Sequence, residues 1–107
     1  MKSYPIELGG KTRNLRYGFN AFVAFEEATG DSIMNIGGTV TIKMLRALIW
    51  AGLRWEDKNL TVDAVGDMVD RYMEEGGDLE TLMKSVTTAI EQSGLVKKGK
   101  TKDEPGE

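Results

Sequence analysis

The spacing of apolar and polar residues changes several times along this chain, and each change marks an element. The longest helical stretch runs from Thr39 to Trp55, TVTIKMLRALIWAGLRW, where Ile42, Met44, Leu45, Leu48, Ile49, Gly52, Leu53 and Trp55 share one broad arc of a helical wheel. Lys43, Arg46, Trp50 and Arg54 occupy the other side. An arc that wide predicts a central helix touched by neighbours on several sides, with Thr39 or Thr41 capping its first turn through a side-chain oxygen. Before it, Ser3–Leu8 and Lys11–Tyr17 flank Gly9-Gly10, a dipeptide suited to the positive φ angles of a tight hairpin turn. That turn sets Leu8 against Lys11, Ile6 against Arg13 and Tyr4 against Leu15. It also gathers Tyr4, Ile6, Leu8, Leu15 and Tyr17 on one face, with Pro5, Glu7, Thr12 and Asn14 on the other. A two-stranded hairpin is marginal alone, so this face must cover helices or meet strands of another copy, and Pro5 makes its strand an edge.

Phe19–Thr29 has the pattern of a short helix, with Asn20 expected as N-cap, Phe19 stapled against Ala24 and Gly30 ending it. Ala21, Phe22, Ala24, Phe25 and Ala28 form the side expected to bury, and Glu26-Glu27 the solvated side. Asp31–Gly38 reads as a connector with Ile33 and Ile36 as apolar plugs. Two amphipathic helices follow. Val62–Glu75 is capped by Thr61 and carries the stripe Val62, Val65, Met68, Val69, Tyr72 and Met73. Leu79–Ser93 is capped by Asp78, closed by Gly94, and carries Leu79, Leu82, Met83, Val86, Ala89 and Ile90. The expected fold is therefore α+β, mainly α-helical, with an N-terminal β-hairpin packed on about four helices. Residues 1–95 are expected to form a single domain. Residues 96–107 lack periodicity and are expected to form a disordered tail.

Composition narrows the chemistry more than the fold. The 107 residues include no cysteine and no histidine, which removes disulfides, thiolate metal sites and the commonest general base. The N-terminal segment lacks the apolar core of a signal peptide, and no apolar run reaches the ~18 residues of a membrane span. The net charge of −3 is uneven. Lys97, Lys98, Lys100 and Lys102 with Asp103, Glu104 and Glu107 lie in the tail, so the preceding chain holds 10 of the 14 basic and 14 of the 17 acidic residues, a net of −4. An acidic body without a basic recognition helix argues against nucleic-acid binding. No glycine-rich phosphate loop or nucleophile elbow is present, and no catalytic, metal-binding or cofactor-binding residues are expected.

What remains points to protein partners. Asp63, Asp67, Asp70 and Glu74 form an acidic stripe in which like charges stack at i,i+4, at a cost of a few tenths of a kcal/mol per pair. The stripe is either a solvated face or a surface for a basic partner, and a rigid helix is poorly suited to wrapping calcium. Trp50 sits between Arg46 and Arg54, one turn away on either side. It is either an exposed hot spot flanked by guanidinium groups or an indole covered by the hairpin or tail of the same chain. If the basic side of the central helix and the acidic stripe of the next lie on different edges, copies of the chain would associate through them.

The order YPIELGGKTRNLRYGFNAFVAFEEATG, then MLRALIWAGLRWEDKNLTVDAVGDMVD, resembles the small tail assembly chaperones of long-tailed bacteriophages and related prophage and gene-transfer-agent elements. The likeness covers about Tyr4 to Tyr72: a hairpin with a Gly-Gly turn, an aromatic helix, the LRALIWAGL helix and an LT-initiated helix. It implies a non-enzymatic protein of the host cytoplasm that binds the tape measure protein, recruits tail tube subunits and leaves before the virion is complete. The alternative is a structural tail component, a completion or minor tail protein, that stays in the particle. A holdase of this kind needs apolar contact area and adaptable methionines, and Met44, Met68, Met73 and Met83 fall on the apolar stripes. No cofactor or membrane enters that role.

Overall fold

The computed structural model describes residues 2–35 and 40–94. Ile36, the Thr39 alternative for the helix cap, and the C-terminal tail lie outside the described residues.

The hairpin forms as its spacing requires. β1 (Tyr4–Leu8) and β2 (Lys11–Leu15) pair antiparallel, with Leu8 opposite Lys11, Ile6 opposite Arg13 and Tyr4 opposite Leu15. Gly9 and Gly10 both take positive φ, 67° and 83°, where a side chain would be strained. Pro5 faces Asn14, one position out of phase with the closing pair. In that phase the backbone N of Pro5 points away from β2, and its missing N–H removes no ladder bond. Ile6, Leu8, Leu15 and Tyr17 are buried beneath the ribbon and Tyr4 is half-buried.

Four helices follow: α1 (Phe19–Thr29), α2 (Ile42–Leu53), α3 (Val62–Glu74) and α4 (Leu79–Gln92), with a 3₁₀ turn at Ile33–Asn35. The architecture is α+β and mainly helical. α2 packs against α1, α3, α4 and β2, while α3 and α4 also meet β1. Met44, Leu45, Ala47, Leu48, Ile49, Ala51 and Leu53 are all buried, so α2 is the axis of the core. Three of the helix starts follow the sequence: Thr41, Thr61 and Asp78 each accept an N–H from three residues on, Met44, Ala64 and Thr81. Gly30 ends α1 in the left-handed conformation at φ 78°.

One joint holds the hairpin to α2. Gly52 offers no Cβ, and the ring of Tyr17 and the side chain of Leu15 lie in the space one would fill. Tyr17 is 2% exposed, stacks on Phe22 at 5.6 Å between ring centroids, and donates its hydroxyl to Leu48 O at 2.5 Å. The Arg16 N–H donates to Gly52 O at 2.8 Å. Backbone and aromatic ring therefore reach α2 at the same point.

Several expectations change in the structure. α1 has Gly18, not Asn20, as its N-cap, and no side chain caps it, because Asn20 already lies inside the first turn. Phe19 does not staple against Ala24: it stands 75% exposed at the start of the helix. Ala28 is exposed as well, since α2 covers only the Phe22–Phe25 side. Glu26 is half-buried rather than solvated, and its Oε2 accepts the Ile33 N–H at 2.9 Å, tying the 3₁₀ turn to α1. Ile33 is buried as a plug. Ile42, placed by periodicity on the apolar arc, is 69% exposed at the first position of α2. Trp55 falls in the turn after α2, where its indole N–H donates to Asn14 O at 2.9 Å.

Candidate partner-binding grooves

The residues singled out for partner binding separate into two groups. Arg46, Asp63, Asp67 and Asp70 come together along a groove of about 610 Å³ between α2 and α3, whose apolar lining is Ile42, Leu45, Val69, Met73 and Leu79. The groove exists because Gly66 faces α2 without a side chain, leaving the Arg46 stem to lie across it, 3.4 Å from where a Cβ would stand. Arg46 Nη1 is 3.6 Å from Asp63 Oδ1. With Asp63 almost fully exposed this pair is worth at most about 1 kcal/mol. It does change the self-docking premise, because the basic side of α2 and the acidic stripe of α3 meet inside one chain. Asp67 and Asp70 enter no ion pair among the described residues, and their charge remains available on the groove wall.

Glu74 stands exposed at the last residue of α3, outside the groove lining. Trp50, open to an exposed and to a covered reading, is half-buried. The turn before α3 reaches it: its indole N–H donates to Leu60 O at 2.9 Å and the ring packs on the core. Arg54 lies over that ring, 5.0 Å from its centroid. Trp50 is thus a structural aromatic that positions an arginine, and that arginine points into a second groove.

The second groove, of about 580 Å³, lies at the other end of α2, between the end of β2 and the start of α1. Arg16, Arg54 and Lys58 line it beside Phe19 and Trp55. Arg16 and Lys58 carried no weight in the sequence pattern, because Arg16 trails a strand and Lys58 sits in a turn without periodicity. Only the fold brings them to Arg54. Of the methionines, Met44 is buried and Met68 and Met83 pack half-buried against the core, which makes them core filler. Met73, 39% exposed at the groove mouth, and exposed Met34 are open to a partner.

Among the described residues no group of three carboxylates could hold a metal ion, and no helix is long and apolar enough to cross a membrane. Comparison of the chain with protein-family models, with curated proteins and with solved structures returns no match.

Proposed function

We propose that this protein is a non-enzymatic tail assembly chaperone, which holds a helical segment of the tape measure protein in the α2–α3 groove during tail construction in the host cytoplasm and hands the complex to tail tube subunits. The observation that supports the reading is an apolar groove that the described residues leave open: Ile42 and Met73 are exposed at its mouth, beside the carboxylates of Asp67 and Asp70, which enter no ion pair among the described residues. An amphipathic helix laid there would seat apolar side chains at i, i+3 or i+4 and i+7 and carry basic residues over the acidic wall. Full burial of an Ile or Met is worth about 1.5–3 kcal/mol, so two partly exposed anchors give a grip that a holdase can release. The acidic body adds solubility while apolar surface is exposed.

Co-expression with fragments of the tape measure protein encoded in the same genome, followed by pull-down, tests the reading. Wild-type protein captures a helical fragment, and Met73→Asp loses it without a change in melting temperature. Failure to retain any fragment refutes the proposal. Mass spectrometry of purified virions separates the alternative, because a chaperone is missing from the particle and a structural tail subunit is present.

A further inference from the structure

We infer that the second groove, at the C-terminal end of α2, binds an acidic peptide segment of a partner protein, one that carries a bulky apolar side chain among its carboxylates. Three observations lead there. Arg16, Arg54 and Lys58 converge on the groove in a body whose net charge is −4, and none of them enters an ion pair among the described residues. Among the described residues no carboxylate lines the groove, so within them this cationic surface is uncompensated.

The cations are also held in place. Arg16 lies over the Trp55 ring at 4.6 Å and Arg54 over the Trp50 ring at 5.0 Å, while each indole is itself anchored by a hydrogen bond to backbone, Trp55 to Asn14 O and Trp50 to Leu60 O. A guanidinium resting on an aromatic face keeps its N–H groups directed outward, and ordering them costs a ligand less. The apolar part of the site is Phe19, exposed at the groove edge with Ala21 and Ala51 behind it. The first turn of α1 borders the same space with no acidic residue and no side-chain cap, which adds to the positive potential there.

A peptide fits this surface better than a nucleic acid. Three cations neutralise a short run of carboxylates, whereas a phosphate backbone extending past the groove would meet the acidic body. A volume of about 580 Å³ with one protruding aromatic suits a side chain or two. Chain length along α2 separates this site from the α2–α3 groove, so the inference stands whether or not that groove holds a tape measure helix.

Fluorescence anisotropy with the full chain tests it, using a labelled peptide of glutamates around a central phenylalanine. At low ionic strength the peptide binds. Lys58→Glu weakens it roughly tenfold, since reversal replaces attraction by repulsion, and added salt weakens it further. Phe19→Ser weakens the phenylalanine peptide but not a version with glycine in its place. Met73→Asp, in the other groove, leaves binding unchanged, and equal melting temperatures show that the variants are folded. Equal affinity of wild type and Lys58→Glu overturns the inference. So does equally tight binding of single-stranded oligothymidine. Concentration-dependent association of the free protein that Lys58→Glu abolishes also overturns it, because the occupant would then be a second copy of the chain.

Discussion

Gly52→Ala sets two physical effects of opposite sign against each other at one atom. Gly52 is the second-to-last residue of α2, and alanine is favoured over glycine in a helix by at most about 1 kcal/mol, because it restricts the unfolded backbone. At Gly52 the added methyl would stand 2.6 Å from Tyr17 Cζ, 2.7 Å from its hydroxyl oxygen and 2.9 Å from Leu15 Cδ2. None of these can swing away: Tyr17 is 2% and Leu15 0% exposed, and the Tyr17 ring is fixed between Phe22 and Leu48 O. Overpacking a rigid site costs about 1–3 kcal/mol, and a buried hydroxyl pushed off its acceptor adds about 1–3 kcal/mol. The clash outweighs propensity, and Gly52→Ala is expected to destabilise the fold by about 3 kcal/mol. For a chain of this size that lowers the melting temperature by roughly 12–24 °C. Urea denaturation followed by circular dichroism measures it, with Gly66→Ala as the control. At Gly66 the nearest atom is Arg46 Cδ at 3.4 Å, an ordinary van der Waals distance, so the same substitution should stabilise by up to about 1 kcal/mol. If Gly52→Ala also stabilises, the hairpin is not locked to α2 through Tyr17 and the account of that joint is wrong.

Burial pushes the Tyr17 phenol far above its ordinary value of 10.0, so above about pH 10 the unfolded chain loses a proton that the folded one keeps. Stability is level below that pH and then falls by about 1.4 kcal/mol per unit; Tyr17→Phe should flatten this limb in urea midpoints measured under alkaline conditions. The carboxyl of Asp78 is held below its ordinary 3.8, first by the Thr81 backbone N–H and then by the Thr81 hydroxyl. Its contribution is present above about pH 4 and is lost as pH falls through the lowered folded value, so Asp78→Asn should shrink the acid-side loss of helicity; an unchanged acid limb would remove the cap from the account. Thr61→Ala, which deletes the acceptor for the Ala64 N–H, should cost about 1 kcal/mol in the same denaturation assay.

How far the fold could be read depended on whether a residue's role was local. The hairpin register follows from a two-glycine turn and the period of a strand, so every pair from Leu8–Lys11 to Tyr4–Leu15 was legible before any packing was known. The caps at Thr41, Thr61 and Asp78 are equally local, a side-chain oxygen and an N–H three residues on. Phe19 misled because periodicity says which side of a helix is apolar, not whether a neighbour reaches the first turn to cover it. Ile42 failed for the same reason at the start of α2. Trp50 was open to two readings because its environment is made by the Leu60 carbonyl, which only the path of the turn determines. The acidic stripe was legible as a stripe. That Arg46 sits opposite Asp63, and that Asp67 and Asp70 border an apolar groove, depends on the approach of α3 to α2 across Gly66.

α2 gives the two grooves a fixed relation. Arg46 stands in the acidic groove and Arg54 in the basic one, eight residues apart, or about 12 Å along the helix axis. Leu48 and Ile49 between them are buried at 1% and 0% exposure, and Tyr17 ties the same turn to the hairpin, so this segment is held fast on both sides. Energetic coupling between sites needs an element with two arrangements, and a rigid rod supplies only distance. Filling one groove should therefore leave affinity at the other unchanged, while a polypeptide engaging both gains through effective concentration alone. Such a ligand must present a basic amphipathic stretch to Asp67 and Asp70 and an acidic stretch to Arg16, Arg54 and Lys58. A chain with the reverse charge order would meet like charge at both ends, so the polarity of a bound segment along α2 is set by these five side chains.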